Sequence, residues 1–222
     1  MKGVVFDVDG VIIDVRDSYH VAIKNTAEEL AGKEVDINLV RSVKFEKAIN
    51  NDWLATLEVI RHLGEKADLR DVIETFNRVY KYVRDQERLL LNGNFFKRLR
   101  SLGVKLGIVT GRPKEDLLYS FERFHLKEYF DFMVDDDDIE QEELKKPHPY
   151  ALHVCIEGMN LDACVYVGDS LADWQMVYYY KKMYEKPVEY IHFGENVKPK
   201  GVFQAKHPEG LILALQEVLP LL

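Results

Sequence analysis

The chain has 222 residues, a formal net charge of -8 and 47% apolar residues. That length suits one domain, or one domain carrying an inserted subdomain, and the apolar share is ample for a packed core. An acidic balance of this size disfavours nucleic acid and acidic membrane surfaces as partners, whereas a phosphorylated small molecule stays open because a local cation reverses the field at a site. Cys155 and Cys164 lack the spacing of a zinc site or a redox pair and read as small core residues. Met1-Lys2 leads straight into an apolar run with no signal-like segment, and no apolar stretch approaches the ~18 residues of a membrane span. A cytoplasmic globular protein without a membrane partner is expected.

Gly3 to Phe6 is a short β-branched run that predicts a strand buried on both faces. No further strand is expected before about Leu91. Val15–Ala31 reads as a helix with Tyr19, Ala22, Ile23, Ala27 and Leu30 on one face, stopped by Gly32. Asp36–Ala48 and Asp52–Leu63 read as two more, broken at Asn50-Asn51, with Asp52 as N-cap. Asp68–Arg88 reads as a long helix whose buried stripe is Leu69, Val72, Ile73, Phe76, Val79, Tyr80 and Val83. Four helices after a single strand are an insertion and not a crossover.

An alternating pattern then resumes. Helices are predicted at Phe95–Leu102, Pro113–Phe124, Ile139–Leu144, Pro149–Glu157, Leu171–Lys181 and Glu209–Leu219. Strands are predicted at Val104–Thr110, Phe130–Val134, Ala163–Gly168 and Val188–Phe193. The pattern implies an α/β fold, a doubly wound parallel sheet with an inserted all-helical domain. The expected division is 1–13 with 92–222 as core and 14–91 as insert, the two chain crossings lying side by side.

The chemistry-bearing residues fall where these strands end, which is where an open parallel sheet binds ligands. The first strand runs into Asp7-Val8-Asp9-Gly10, and the pleat period puts both carboxylates on one side. Two acids so close repel, and a hard divalent cation such as Mg²⁺ relieves that. Asp7 then suits a nucleophile and Asp9 a proton carrier. An Asp-x-Asp pair is also an ordinary turn and cap device. After the second strand come Thr110, whose hydroxyl can donate to a phosphoryl oxygen, and Gly111, which admits close backbone approach; the alternative is a plain capping turn. Lys146, ahead of Pro147, offsets negative charge on a nucleophile and a phosphate, although loop lysines are usually solvated. Asp169 can ligate a metal held by Asp7, with Asp173 one helical turn on; capping of the next helix is the competing reading.

With these four motifs in order, the chain resembles the haloacid dehalogenase-like (HAD) hydrolase superfamily over its whole length. The matching residues are Asp7-Val8-Asp9-Gly10-Val11, Thr110-Gly111-Arg112, Lys146-Pro147 and Gly168-Asp169 with Asp173. The inserted helices resemble the C1 cap of subfamily I, as in phosphoglycolate phosphatase and β-phosphoglucomutase relatives. The resemblance implies a Rossmann-like core, Asp7 as nucleophile forming an aspartyl-phosphate, and Asp9 as general acid/base. It also implies Mg²⁺ held by the Asp7 side chain, the Asp9 backbone carbonyl and Asp169, with Asp173 supporting the metal through its waters. Asp9, Gly10, Thr110, Gly111 and Lys146 would surround the phosphoryl group. Dehalogenase and phosphonatase branches lack the second aspartate, so Asp9 with Asp169 argues for phosphoryl transfer.

The expectation is a Mg²⁺-dependent phosphatase acting on a small phosphorylated metabolite. A phosphosugar mutase and a non-catalytic phosphate- or metal-binding module are the alternatives. Substrate choice is expected in the helical insert, where Arg16, Tyr19, Asn50, Asn51 and Trp53 are the residues placed to face a pocket; a mere helix junction competes with that reading. Asp135–Asp138 reads as a solvated helix start, not a metal site. Tyr178, Tyr179 and Tyr180 read as packing residues or, if exposed, a homodimer contact.

Overall fold

The computed structural model describes the chain except Lys47, Ala48, Asn50 and Val197. Its elements run β1 (Lys2–Phe6), β2 (Ile13–Asp14), α1 (Tyr19–Ala31), α2 (Ile37–Glu46), α3 (Asp52–His62), α4 (Leu69–Val83), β3 (Arg88–Leu89), α5 (Gly93–Arg100) and β4 (Lys105–Val109). Then follow α6 (Lys114–Arg123), β5 (Phe132–Val134), α7 (Tyr150–Gly158), β6 (Ala163–Gly168), α8 (Leu171–Met183), β7 (Val188–Phe193), β8 (Phe203–Ala205) and α9 (Pro208–Val218). Contacts divide the chain into two compact units, Met1–Ile13 with Leu89–Leu222 and Asp14–Arg88. The short strands β2 and β3, where the chain passes from one to the other, pair with each other.

The larger unit is built on a six-stranded sheet of order β5-β4-β1-β6-β7-β8, parallel at every pairing. Val4, Val5 and Phe6 of β1 are fully buried, as the apolar run requires of a strand covered on both faces. Neighbouring residues point to opposite faces. Val5 joins a core with Leu152 and Cys155 of α7, Tyr166 of β6 and Met176 of α8. Phe6 joins the edge-on aromatic cluster of Phe95, Phe96 and Phe130, at ring separations of 6.3, 5.7 and 6.4 Å. Helices therefore cover both faces, and the fold is the doubly wound α/β arrangement expected. Cys155 and Cys164 are free and buried. Among the described residues no helix is long and apolar enough to cross a membrane.

The sheet has one strand more than the sequence suggested. β8 is only three residues, Phe203–Ala205, beside β7, too short for an alternation to register. The helix expected at Ile139–Leu144 is replaced by 3₁₀ turns at Asp136–Asp138 and Glu142–Leu144. Ile139 is buried between them. Asp135 accepts from the Asp137 and Asp138 amides while Asp138 accepts from the Asp135 amide, which closes the turn. Tyr180 is fully buried, whereas Tyr178 and Tyr179 are exposed.

In the helical unit α1 packs against α3 and α4. It starts at Tyr19 and not at Val15. The Asp14 carboxylate accepts from the Arg16 amide and guanidinium at 3.1 and 2.9 Å, which holds the chain in a turn. Ser18 is drawn instead to Glu87, whose carboxylate also accepts from the Tyr80 hydroxyl. Tyr19 stacks on Tyr80 and Phe76 at 4.3 and 6.0 Å. It is a core ring of this unit, a correction to its placement facing a pocket. Asn51 caps α3 by accepting from the Leu54 amide, so the cap lies one residue before the expected Asp52, which pairs with Lys44. The Trp53 indole donates to Asn77 at 3.3 Å. Leu69, expected on the buried stripe of α4, is exposed. Asn50 and the expected end of the second helix at Ala48 lie outside the described residues.

His20 of α1 is buried. Burial first, then the Lys44 and Arg41 charges, push its pKa down to about 4 against the ordinary 6.5. Between those values the unfolded chain binds the extra proton, so stability is full above pH 6.5 and is lost as the pH falls toward 4, by at most ~3 kcal/mol. Thermal melts of the wild type and His20→Asn across this window should show a steeper loss in the wild type. Parallel curves would exclude His20 as the group responsible.

Candidate active site

β1 lies between β4 and β6. The strand order reverses there, which opens a crevice beyond the carboxyl ends. Asp7 follows β1 and keeps the ladder for one more residue, its amide donating to Val167 at 2.9 Å. Thr110 does the same after β4, donating to Val134 at 3.0 Å. Asp169 follows β6. The next segment, Val8–Ile13, is a tight loop in which the Val8 carbonyl accepts from the amides of Val11, Ile12 and Ile13. The pleat thus ends before Asp9, and the two acids take different cations rather than sharing one side of a strand.

Lys146 is the centre of the first group. Its ammonium is buried and donates to Asp7 Oδ1 at 2.9 Å, Asp173 Oδ1 at 2.9 Å and the Tyr166 hydroxyl at 2.6 Å. The Tyr166 hydroxyl stands 3.1 Å from the Val109 carbonyl and 3.0 Å from Asp173 Oδ1, and its one proton serves one of them. Burial disfavours the lysine cation, yet Asp173 and Asp7 outweigh it and hold the proton on. Burial pushes Asp7 up to about 7; Lys146 opposes this, and the Asp173 and Asp9 charges add to it. Burial acts on Asp173 the same way, but Lys146 and the Ser170 hydrogen bond bring it below the usual carboxylate range. Lys145 points elsewhere and pairs with Asp136 and Glu142.

Asp173 has two roles at once. Ser170 and Asp173 form a reciprocal capping box at the start of α8, with the Ser170 hydroxyl 2.6 Å from Asp173 Oδ2. The cap fixes Oδ2 and leaves Oδ1 to the lysine. Gly168 makes room, since a Cβ there would lie 2.5 Å from that of Asp173. Asp169 is buried and accepts from the Asn196 carboxamide at 3.0 Å. Asn196 was not legible beforehand. It sits in a loop after β7, fixed by a 3.1 Å contact of its carbonyl with His192.

One oxygen each from Asp7, Asp169 and Asp173 lie within 4.8 Å of one another. Three hard carboxylate oxygens from buried residues at that spacing fit a divalent cation of the Mg²⁺ type. Asp9 is outside this trio. Its Oδ1 accepts from Arg112 Nε at 2.5 Å, and the Arg112 side chain is wholly buried. The Arg112 amide in turn donates to Thr110 Oγ1 at 3.1 Å. Gly111 lies half-buried beside them. Arg16, assigned to the insert's pocket, is paired with Asp14 and largely exposed.

A family model for haloacid dehalogenase-like hydrolases matches residues 1–177. The chain belongs to that family. It is 25% identical over 195 residues to phosphoglycolate phosphatase of Escherichia coli K12, covering 79% of this chain and 76% of that protein. β-Phosphoglucomutase from Clostridium difficile superposes with a TM-score of 0.74 at 18% identity, covering 97% of this chain and 95% of that one. A hydrolase from Pseudomonas syringae gives 0.75 at 17% identity, covering 98% and 99%. The protein is therefore a HAD-like enzyme of the phosphatase or phosphomutase kind.

Gly10 decides whether the carboxylates can meet. Its φ is +76°, and a Cβ there would stand 2.0 Å from Asp169 Oδ2. Gly10→Ala should displace Asp169 and cost about 1–3 kcal/mol in strain. Isothermal titration of Mg²⁺ should show at least tenfold weaker binding than wild type; equal affinity would mean the loop yields without moving Asp169.

Proposed function

We propose that the protein is a Mg²⁺-dependent phosphatase that hydrolyses a small phosphorylated metabolite through an aspartyl-phosphate on Asp7. The observation that carries this reading is the buried Lys146 ammonium touching Asp7 beside two further acids. Asp7, Asp169 and Asp173 stand against one lysine, and Asp9 is matched by Arg112. Carboxylates this close repel one another, and a divalent cation would relieve that. Mg²⁺ would be held by the Asp7 and Asp169 side chains and the Asp9 carbonyl, with Asp173 supporting it through water. When bound, it would neutralise charge on the nucleophile and on the phosphoryl oxygens.

The residues divide the work in two steps. Asp7 attacks phosphorus as the bond to the leaving oxygen breaks, and Asp9 gives that oxygen its proton. Water then loses a proton to Asp9 as its oxygen bonds to phosphorus, and the Asp7 carboxylate departs. Lys146 keeps Asp7 ionised and meets the phosphoryl charge, and the Thr110 hydroxyl and the Gly10 and Gly111 backbone line its oxygens. The helical unit, Asp14–Arg88, is read as the cap that selects substrate, with Asn51 and Trp53 its candidate polar contacts. A cytoplasmic setting accords with such a substrate. The phosphoglycolate phosphatases among its relatives favour hydrolysis over the mutase alternative.

Phosphate release from a panel of phosphorylated metabolites tests this, first with Mg²⁺ and then with EDTA. Release should need the metal and fall by at least 10³-fold in Asp7→Asn, with an unchanged circular-dichroism melt. Persistent turnover in that variant would exclude Asp7 as nucleophile. Transfer between positions of a bisphosphate-primed sugar with little free phosphate would favour the mutase.

A further inference from the structure

Arg112 stands in the Thr110-Gly111-Arg112 motif yet has no part in the steps above. Its side chain is wholly buried and held from several directions. Nε donates to Asp9 Oδ1 at 2.5 Å and one terminal nitrogen donates to Ser120 Oγ of α6 at 2.7 Å. The Arg112 amide is tied to Thr110 Oγ1, and its carbonyl accepts from the Asp136 amide at 2.9 Å. A guanidinium cannot shed its proton to escape burial, so its placement is retained only where a carboxylate and further acceptors surround it. A carboxylate that it holds, Asp9, is the one that moves protons in the proposed reaction.

We propose that Arg112 is a positioning residue for phosphoryl transfer: anchored by Ser120, it fixes the Asp9 carboxyl at the place from which the leaving oxygen is protonated. An Asp side chain beyond the end of a strand, in a tight loop, has freedom about two bonds. A rigid planar donor on its Oδ1 removes that freedom before substrate arrives, and pre-set geometry of this kind supplies much of the gain of a catalytic acid. Ser120, eight residues on and on another element, holds the guanidinium plane and so the direction of Nε. The inference rests on Asp9 as the general acid.

The leaving group separates positioning from mere support of the fold. Expulsion of 2,4-dinitrophenolate needs no proton, whereas an alkoxide does. The ratio kcat/KM reports steps up to formation of the aspartyl-phosphate, the step that Asp9 assists. It should be measured on 2,4-dinitrophenyl phosphate and on an alkyl phosphate monoester turned over by the wild type, for Arg112→Lys, Ser120→Ala and Asp9→Asn. Arg112→Lys keeps the charge and loses the fork. It should lose roughly 10²-fold on the alkyl ester and less than about threefold on the aryl ester, with Ser120→Ala a weaker copy and Asp9→Asn a stronger one. Equal losses on both esters, or none, in a folded Arg112→Lys protein while Asp9→Asn separates them would overturn the positioning role. Failure of Asp9→Asn to separate the esters would overturn the assignment of Asp9 itself, and the inference with it.

Discussion

The site depends on one ammonium that has no water to turn to. Lys146 is buried against Asp7, Asp173 and Tyr166, and removing a charge from water is tolerated only when geometry returns the lost solvation. Each partner is therefore fixed by something else. Asp7 directly follows the central strand, Tyr166 lies on its neighbour, and Asp173 is locked by the Ser170 capping box. Desolvation pushes Asp7 up to about 7 even beside the lysine. Burial thus works against the charged form of Asp7 even beside the lysine, and a divalent ion there would favour it.

The glycines follow from the same crowding. Gly10 and Gly168 each lie where a Cβ would collide with a carboxylate, that of Asp169 in the first case and of Asp173 in the second. Turn propensity does not explain Gly168, which lies within β6. They mark places where an acidic side chain packs directly on the backbone, closer than a Cβ would allow.

The larger unit was legible in the sequence because its signals are local. Apolar runs at Gly3–Phe6 and Ala163–Gly168 announced buried strands, and the acids after them announced a crevice. What was missed is non-local or brief. The pairing of Arg112 with Asp9 spans 103 residues and that of Tyr166 with Lys146 spans 20, so no spacing rule links them. Asn196 lies in a loop whose approach to Asp169 depends on how β7 and β8 pair. In the helical unit Tyr19 was misplaced for a physical reason. A tyrosine on a helix face suits a pocket or a core equally, and the stack with Phe76 and Tyr80 is set by tertiary packing. Asn51 and Asp52 are both good caps, and only the backbone angles chose between them.

Two buried cations take separate acids, Lys146 pairing with Asp7 and Asp173 and Arg112 with Asp9, and in the proposed reaction that division serves two chemistries. Lys146 touches Asp7 and Tyr166, and in the proposed reaction it holds the acid that attacks and therefore must be charged. Arg112 lies in the loop after β4, is held by Ser120 of α6, and in the proposed reaction keeps hold of the acid that must be aimed. The sorting of cation types agrees with their chemistry. A compact ammonium can touch three oxygens converging on a point, whereas a planar guanidinium fixes direction along its donors. Exchange of the two would give Asp7 an oriented but crowded partner and Asp9 a partner that does not specify orientation. The sequence places each where its geometry, and not only its charge, is needed.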